Sequence, residues 1–178
     1  KTNREALRLY LESLAAYREH STAPYQASMK LAREALALDP NYVDAWNMLS
    51  VVYSSLAGLG VLSDEQGYPQ AIETARKALA IDPNSADAYA ELAQVALTAE
   101  DDQQEAARYL QKALTLEPNN IYALGGASTL AKSLGRLDLA VRIQQQAVER
   151  DPLIANAFSE LCLALFQSGR VDESIVQC

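Results

Sequence analysis

The chain has 178 residues, is 49% hydrophobic, and carries 15 basic against 23 acidic side chains, for a formal charge of −8. That hydrophobic content is too high for a disordered chain, and the acidic balance argues against this segment gripping a phosphate backbone or an anionic membrane. One His and two Cys cannot supply a four-ligand zinc site, while 31 Ala and 26 Leu beside seven Gly and six Pro favour packed helices over a turn-rich β fold.

In chain order, the first element is a degenerate opening helix containing Ala6-Leu7-Arg8-Leu9-Tyr10-Leu11. His20, Ser21 and Thr22 mark a turn. A second helix presents Ser28, Ala32 and Ala35 on one face and runs into Asp39-Pro40-Asn41. Proline lacks an N–H and pushes the residue before it out of the α region, so the helix ends there. Asn41 is placed to cap the next helix, with Asp44 three residues on. That helix carries Trp46, Leu49, Ser50 and Tyr53 on one face. Nine extra residues follow, within about Gly58–Tyr68. They include Ser63-Asp64-Glu65-Gln66, which resembles a capping box and predicts an early helix start, with Pro69 near the first turns. The extension reads either as a projecting recognition loop or as a tolerated surface insertion.

Ala71, Ala75 and Ala78 line the next helix, which ends at Asp82-Pro83-Asn84. Asn84 and Asp87 repeat the capping pattern before a helix bearing Tyr89, Leu92, Ala93 and Ala96. Glu100, Asp101, Asp102 and Glu105 then form an acidic turn, without the alternating spacing of a calcium loop. Ala106, Leu110 and Ala113 lead into Glu117-Pro118-Asn119. The following helix has Leu124, Ala127, Ser128 and Ala131 on one face and contains Gly125 and Gly126. Each glycine costs about 1 kcal/mol relative to Ala inside a helix, so the pair provides either a gap for a partner or close packing on a neighbour. No phosphate-binding glycine pattern surrounds it. Ala140, Gln144 and Ala147 precede Asp151-Pro152, and a last helix carries Phe158, Leu161, Cys162 and Leu165.

The four proline segments are 43, 35 and 34 residues apart. Each is preceded by a helix with small residues on one face and followed by a helix with large-then-small ones. Neither helix buries its face alone, so such units must stack. This pattern resembles the tetratricopeptide repeat, a helix–turn–helix unit, over almost the whole chain. The units are 1–42, 43–85 with the insertion near 58–68, 86–120, 121–154 and an incomplete 155–178. The resemblance implies an all-α fold, a right-handed α-solenoid of antiparallel helix pairs.

The resemblance also implies a function: a protein–protein interaction scaffold whose first helices line a concave groove for a partner peptide or helix. The implied groove positions are Asn47, Val51 and Ser54, then Ala90, Gln94 and Leu97, then Gly125, Thr129 and Lys132, then Ser159, Leu163 and Phe166. Its charges are Asp44, Asp87, Glu91, Glu160 and Lys132. Some members of the family clamp a partner's terminal carboxylate with several cations, which a groove holding only Lys132 cannot do. An uncharged or mildly basic peptide suits it better. Ala6–Leu11 together with the long second unit is similar to the repeat region of bacterial nucleotide-cyclase and winged-helix regulators, which would place the chain in a signalling or transcriptional protein.

No run of 18 apolar residues exists, so no span is expected, and no signal peptide is read at the N-terminus. The chain does not start with Met and is expected to be a piece of a longer protein. Two cysteines without a framework suit a reducing compartment, so a cytoplasmic location is expected, or a periplasmic one if the parent spans a membrane. Cys162 sits at a small-residue packing position and is expected to be an inert thiol. The only histidine, His20, has no marked nucleophile and orienting group beside it. No catalytic residue, metal or cofactor is therefore expected. The alternatives are a substrate-recruiting region of an enzyme, or self-association through a helix face left open at Phe158–Leu165.

Overall fold

The computed structural model describes residues 3–150 and 155–177. These form α1 (Arg4–Tyr17), α2 (Thr22–Leu38), α3 (Val43–Gly58), α4 (Asp64–Ile81), α5 (Ala86–Thr98), α6 (Gln103–Leu116), α7 (Ile121–Ser133), α8 (Leu137–Arg150), α9 (Ala155–Gln167) and α10 (Val171–Gln177), with no strand among the described residues.

Each helix packs on the next along the chain. In addition, α1 touches α3, α3 touches α5, α5 touches α7 and α7 touches α9, whereas the even-numbered helices make no such contacts among the described residues. The odd helices therefore lie closer together than the even ones. Two layers of unequal spacing curve towards the tighter layer, so the odd helices form the inner wall of a solenoid.

The close approach within a pair rests on small residues. Ser13, Ser28, Ala32, Ala35, Ser50, Ala71, Ala75, Ala78, Ser128 and Ala140 are buried. A buried hydroxyl costs free energy unless it is bonded. Here the serines of the odd helices donate to backbone carbonyls of the even helix in the same unit: Ser13 to Ser28 at 2.9 Å, Ser50 to Ala71 at 2.7 Å and Ser128 to Ala140 at 3.4 Å. Ala127 is only half-buried, so the tight crossing in the fourth unit belongs to its neighbour Ser128.

The prolines at 40, 83 and 118 lie in turns just past the ends of α2, α4 and α6, whereas Pro152 lies outside the described residues. The asparagines after the first two prolines do not cap the next helix. Asp39 and Asp82 instead close the turn by accepting the backbone N–H of Asn41 (3.2 Å) and Asn84 (2.9 Å). The cap falls one residue later. Tyr42 takes that position without a side-chain bond, and Ser85 accepts the N–H of Ala88. Asp102, in the acidic turn, accepts the N–H of Glu105 and caps α6.

The second-unit insertion is neither a projecting loop nor a loose one. α3 and α4 have 16 and 18 residues where α5 and α6 have 13 and 14, so most of the extra chain continues the two helices. Ser63 begins α4 as expected but makes no side-chain capping bond, and Pro69 lies inside the helix. The lengthened pair is locked at Gly67, where a Cβ would stand 2.5 Å from Ala57 Cβ and 3.0 Å from the Tyr53 carbonyl oxygen.

At the C-terminal end, Leu161 and Leu165 are buried, and α10 packs on α9. The face expected to lie open is therefore largely covered. The exposed apolar residues here are Leu163 and Phe166 on α9 with Val171, Ile175 and Val176 on α10. Cys162 is disulfide-bonded rather than a free thiol, in a half-buried place where its carbonyl accepts from Ser174 Oγ at 3.0 Å.

Candidate functional site

The inner wall encloses a cavity of about 410 Å³, to which α1, α3, α4, α5, α7 and α9 all contribute. Its repeat logic is visible in the register. Ser13, Ser50, Ala93 and Ser128 are the small packing residues of four successive odd helices, and in α1 and α3 the position four residues on turns into the cavity. That relation puts Ser54 in the wall, and it also puts Tyr17 there, from the degenerate first helix. Sequence reasoning passed over Tyr17, although extending the serine register back to Ser13 would have found it. Tyr68, supplied by the insertion, and Tyr122, at the start of α7, complete an aromatic rim that periodicity alone does not mark.

Of the positions implied by the resemblance, Val51, Ser54, Ala90, Gln94, Gly125 and Thr129 line this cavity. The others do not join them. Asn47 is buried and donates to Ser85 Oγ at 3.0 Å, with its Oδ1 unpartnered among the described residues. It serves the seam between α3 and α5. Leu97 is half-buried, and its neighbour Thr98 takes the wall position. Ser159, Leu163 and Phe166 are exposed on α9 and do not line the cavity, to which α9 contributes Glu160 instead. Lys132 is committed to Glu160 at 2.9 Å, and it is Glu160 that reaches the cavity.

The two glycines of α7 divide the readings offered by the sequence. A Cβ at Gly126 would meet Leu110 Cδ2 at 2.8 Å, so this glycine lets the end of that side chain on α6 pack close against α7, while its other side lines the cavity. A Cβ at Gly125 would meet nothing within 4 Å, so this one leaves open space in the groove.

Glu91 dominates the electrostatics. It is 7% exposed, lines the cavity and accepts a hydrogen bond from Ser54 Oγ. Burial pushes its carboxyl up to about 7, although the Ser54 bond works in the opposite direction. One turn earlier on α5, burial also raises Asp87, which is partly compensated by the 2.6 Å bond from Asn120 Nδ2. Burial and then the charge of Asp87 raise Asp44. At the rim, Tyr17 bonds Ser55 Oγ at 3.2 Å, and burial raises its phenol.

Among the described residues no group of three or more His, Cys, Asp or Glu is placed to hold a metal ion, and no helix is long and apolar enough to cross a membrane. His20 sits at a turn with φ 50°, and its Nδ1 lies 3.1 Å from the Tyr25 hydroxyl.

Comparison with known proteins agrees with this geometry. Family models described as tetratricopeptide repeat match residues 74–109 and 126–177. No curated protein matches the chain. Among solved structures, a thermophilic TPR protein of Thermus thermophilus is 20% identical, with a TM-score of 0.74 over 97% of this chain and 87% of its own. PilW, a type IV pilus biogenesis factor, is 22% identical, with a TM-score of 0.69 over 98% and 76%. MamA is 23% identical, with a TM-score of 0.55 over 91% and 89%. These likenesses show the fold, a right-handed superhelix of helix pairs.

Proposed function

We propose that this chain, which belongs to the tetratricopeptide-repeat family, is a protein–protein interaction scaffold that holds a partner peptide or helix against its inner wall. The observation that carries this reading is the cavity itself. Residues from five successive odd helices converge on one space, and Gly125 leaves room in it where any other side chain would intrude. Concave clefts with a few convergent polar groups are where ligands seat, and a few anchors supply most of the binding energy. Catalysis forms no part of the proposal. The setting in a signalling or transcriptional regulator rests only on Ala6–Leu11 and the lengthened second unit.

The test is affinity capture from a lysate of the source cells, with Gly125→Phe as control. A Cβ at this position meets nothing within 4 Å, so the new side chain starts into the groove rather than into a packing face. A protein held by the wild type and lost by the variant, with unchanged helicity, supports groove binding. Equal capture by both places recognition elsewhere.

A second reading, self-association, is favoured by Phe166 at 62%, Ile175 at 71% and Val176 at 83% exposure on the last two helices. Sedimentation is expected to reveal a concentration-dependent dimer that Phe166→Ser with Val176→Ser abolishes. A monomer at every concentration removes this reading.

A further inference from the structure

We infer that the groove takes a cationic side chain, the lysine or arginine of a partner peptide, with Glu91 as its counter-charge on the cavity floor. This deepens the groove reading above and rests on it.

The array carries its own control for this inference. Glu91 and Glu160 occupy the same repeat position, directly before Leu92 and Leu161 of the packing face. Lys132 and Ser54 likewise occupy one repeat position, four residues beyond the small residues Ser128 and Ser50. In the later pair, Lys132 meets Glu160 at 2.9 Å and supplies the charge the carboxylate needs. In the earlier pair, Ser54 bonds Glu91 but brings no charge. The same architectural slot is therefore filled by an ion pair in one place and left one cation short in the other.

The surroundings do not make up the deficit. Glu91 forms no ion pair among the described residues, and no Lys or Arg lines the cavity. Its neighbour on α5, Asp87, adds negative charge rather than relieving it, and Asn120 offers only an amide. A carboxylate withdrawn from water without a partner cation is costly, and an arriving cation offsets that cost. The cavity suits that visitor. Gly125 leaves the approach open, and Tyr17, Tyr68 and Tyr122 line the space with aromatic groups, of which Tyr17 already stacks one face on Tyr25. The overall charge of −8 draws in a basic peptide rather than an acidic one.

The experiment selects binders from a display library of random twelve-residue peptides (the length is on the order of what spans a groove of this kind) and measures synthetic versions of the winners. Their position is read from the amide NMR shifts of Gly125 and Gly126. The expected winners contain a Lys or Arg whose replacement by norleucine weakens binding by about tenfold or more to the wild type, but hardly at all to Glu91→Gln. Ser54→Lys provides the second arm. It rebuilds the Lys132–Glu160 arrangement at Glu91, so it is expected to fold and melt no lower than the wild type, yet lose the basic peptide. Winners that shift the two glycine amides but tolerate norleucine, or that bind Glu91→Gln equally with the same basic requirement, overturn the counter-charge while the groove reading stands. Winners that leave those amides unmoved, or a library that yields no binder, overturn both.

Discussion

Gly67→Ala is expected to lower the stability of the protein by about 1–2 kcal/mol, the net of an overpacking cost near the upper end of its usual range, about 3 kcal/mol, and an opposing gain in helix propensity. Two effects oppose one another at this position. An exchange of glycine for alanine inside a helix gains about 1 kcal/mol from propensity. Against that gain, the new methyl would stand 2.5 Å from Ala57 Cβ and 3.0 Å from the Tyr53 carbonyl oxygen. Neither neighbour is the free end of a long side chain, so neither yields alone, and relief requires moving α4 off α3. That movement loosens the contacts of Leu56, Ala71 and Tyr53, all buried at this interface. The clash therefore outweighs the propensity. Gly125→Ala is the matching control, because it gains the same propensity and meets nothing within 4 Å. Urea unfolding of both variants checks the argument. A Gly67→Ala protein as stable as the wild type would mean that α3 and α4 are not so close at that turn.

The second large effect is a dependence on pH. The Glu91 carboxyl titrates near 4.5 when freely solvated and is pushed up to about 7 by burial in the folded chain. The folded state therefore binds this proton more tightly than the unfolded state. The resulting stability is fully present below about pH 4.5 and is lost as pH rises through about 7. A shift of that size corresponds to roughly 3 kcal/mol at saturation. Glu91→Gln keeps an uncharged hydrogen-bonding group in place at every pH. Its melting temperature is expected to match the wild type near pH 5, to exceed it increasingly up to pH 8, and to show a flatter profile. Asp44 and Asp87 are also raised by burial and act with the same sign, so both proteins retain some decline. The difference between the two curves isolates Glu91. Parallel curves would show that the carboxylate is solvated at neutral pH, and with it the floor of the groove.

The two expectations differ in what sequence could anticipate. Glu91 was legible as a groove charge from its place on α5, but its desolvation was not, because a carboxylate's free energy depends on what surrounds it from α3 and α7 as well as from its own helix. Gly67 falls in the early helix start that Ser63–Gln66 predicts, but nothing in the sequence marks it as a contact point. Only the partner helix reveals that glycine is needed there, where a Cβ would meet Ala57 and the Tyr53 carbonyl.

The helix ends and the packing faces of this protein follow from its residues alone. A proline stops a helix through its own missing N–H and its steric effect on one neighbour, and the 3.6-residue period assigns a buried face within a single turn or two. Both are local, so Pro40, Pro83 and Pro118, together with the serine and alanine stripes, were readable one unit at a time. Which inward positions meet depends instead on the assembled array. Val51, Gln94 and Thr129 share the cavity with Tyr17, Tyr68 and Glu160, while Asn47, Leu97 and Phe166 lie outside it. Equivalent repeat positions become inequivalent because curvature and the lengthened second unit place each odd helix at a different distance from the rest. Those distances are set by contacts between neighbouring units, accumulated along the array, and no period within one unit records them.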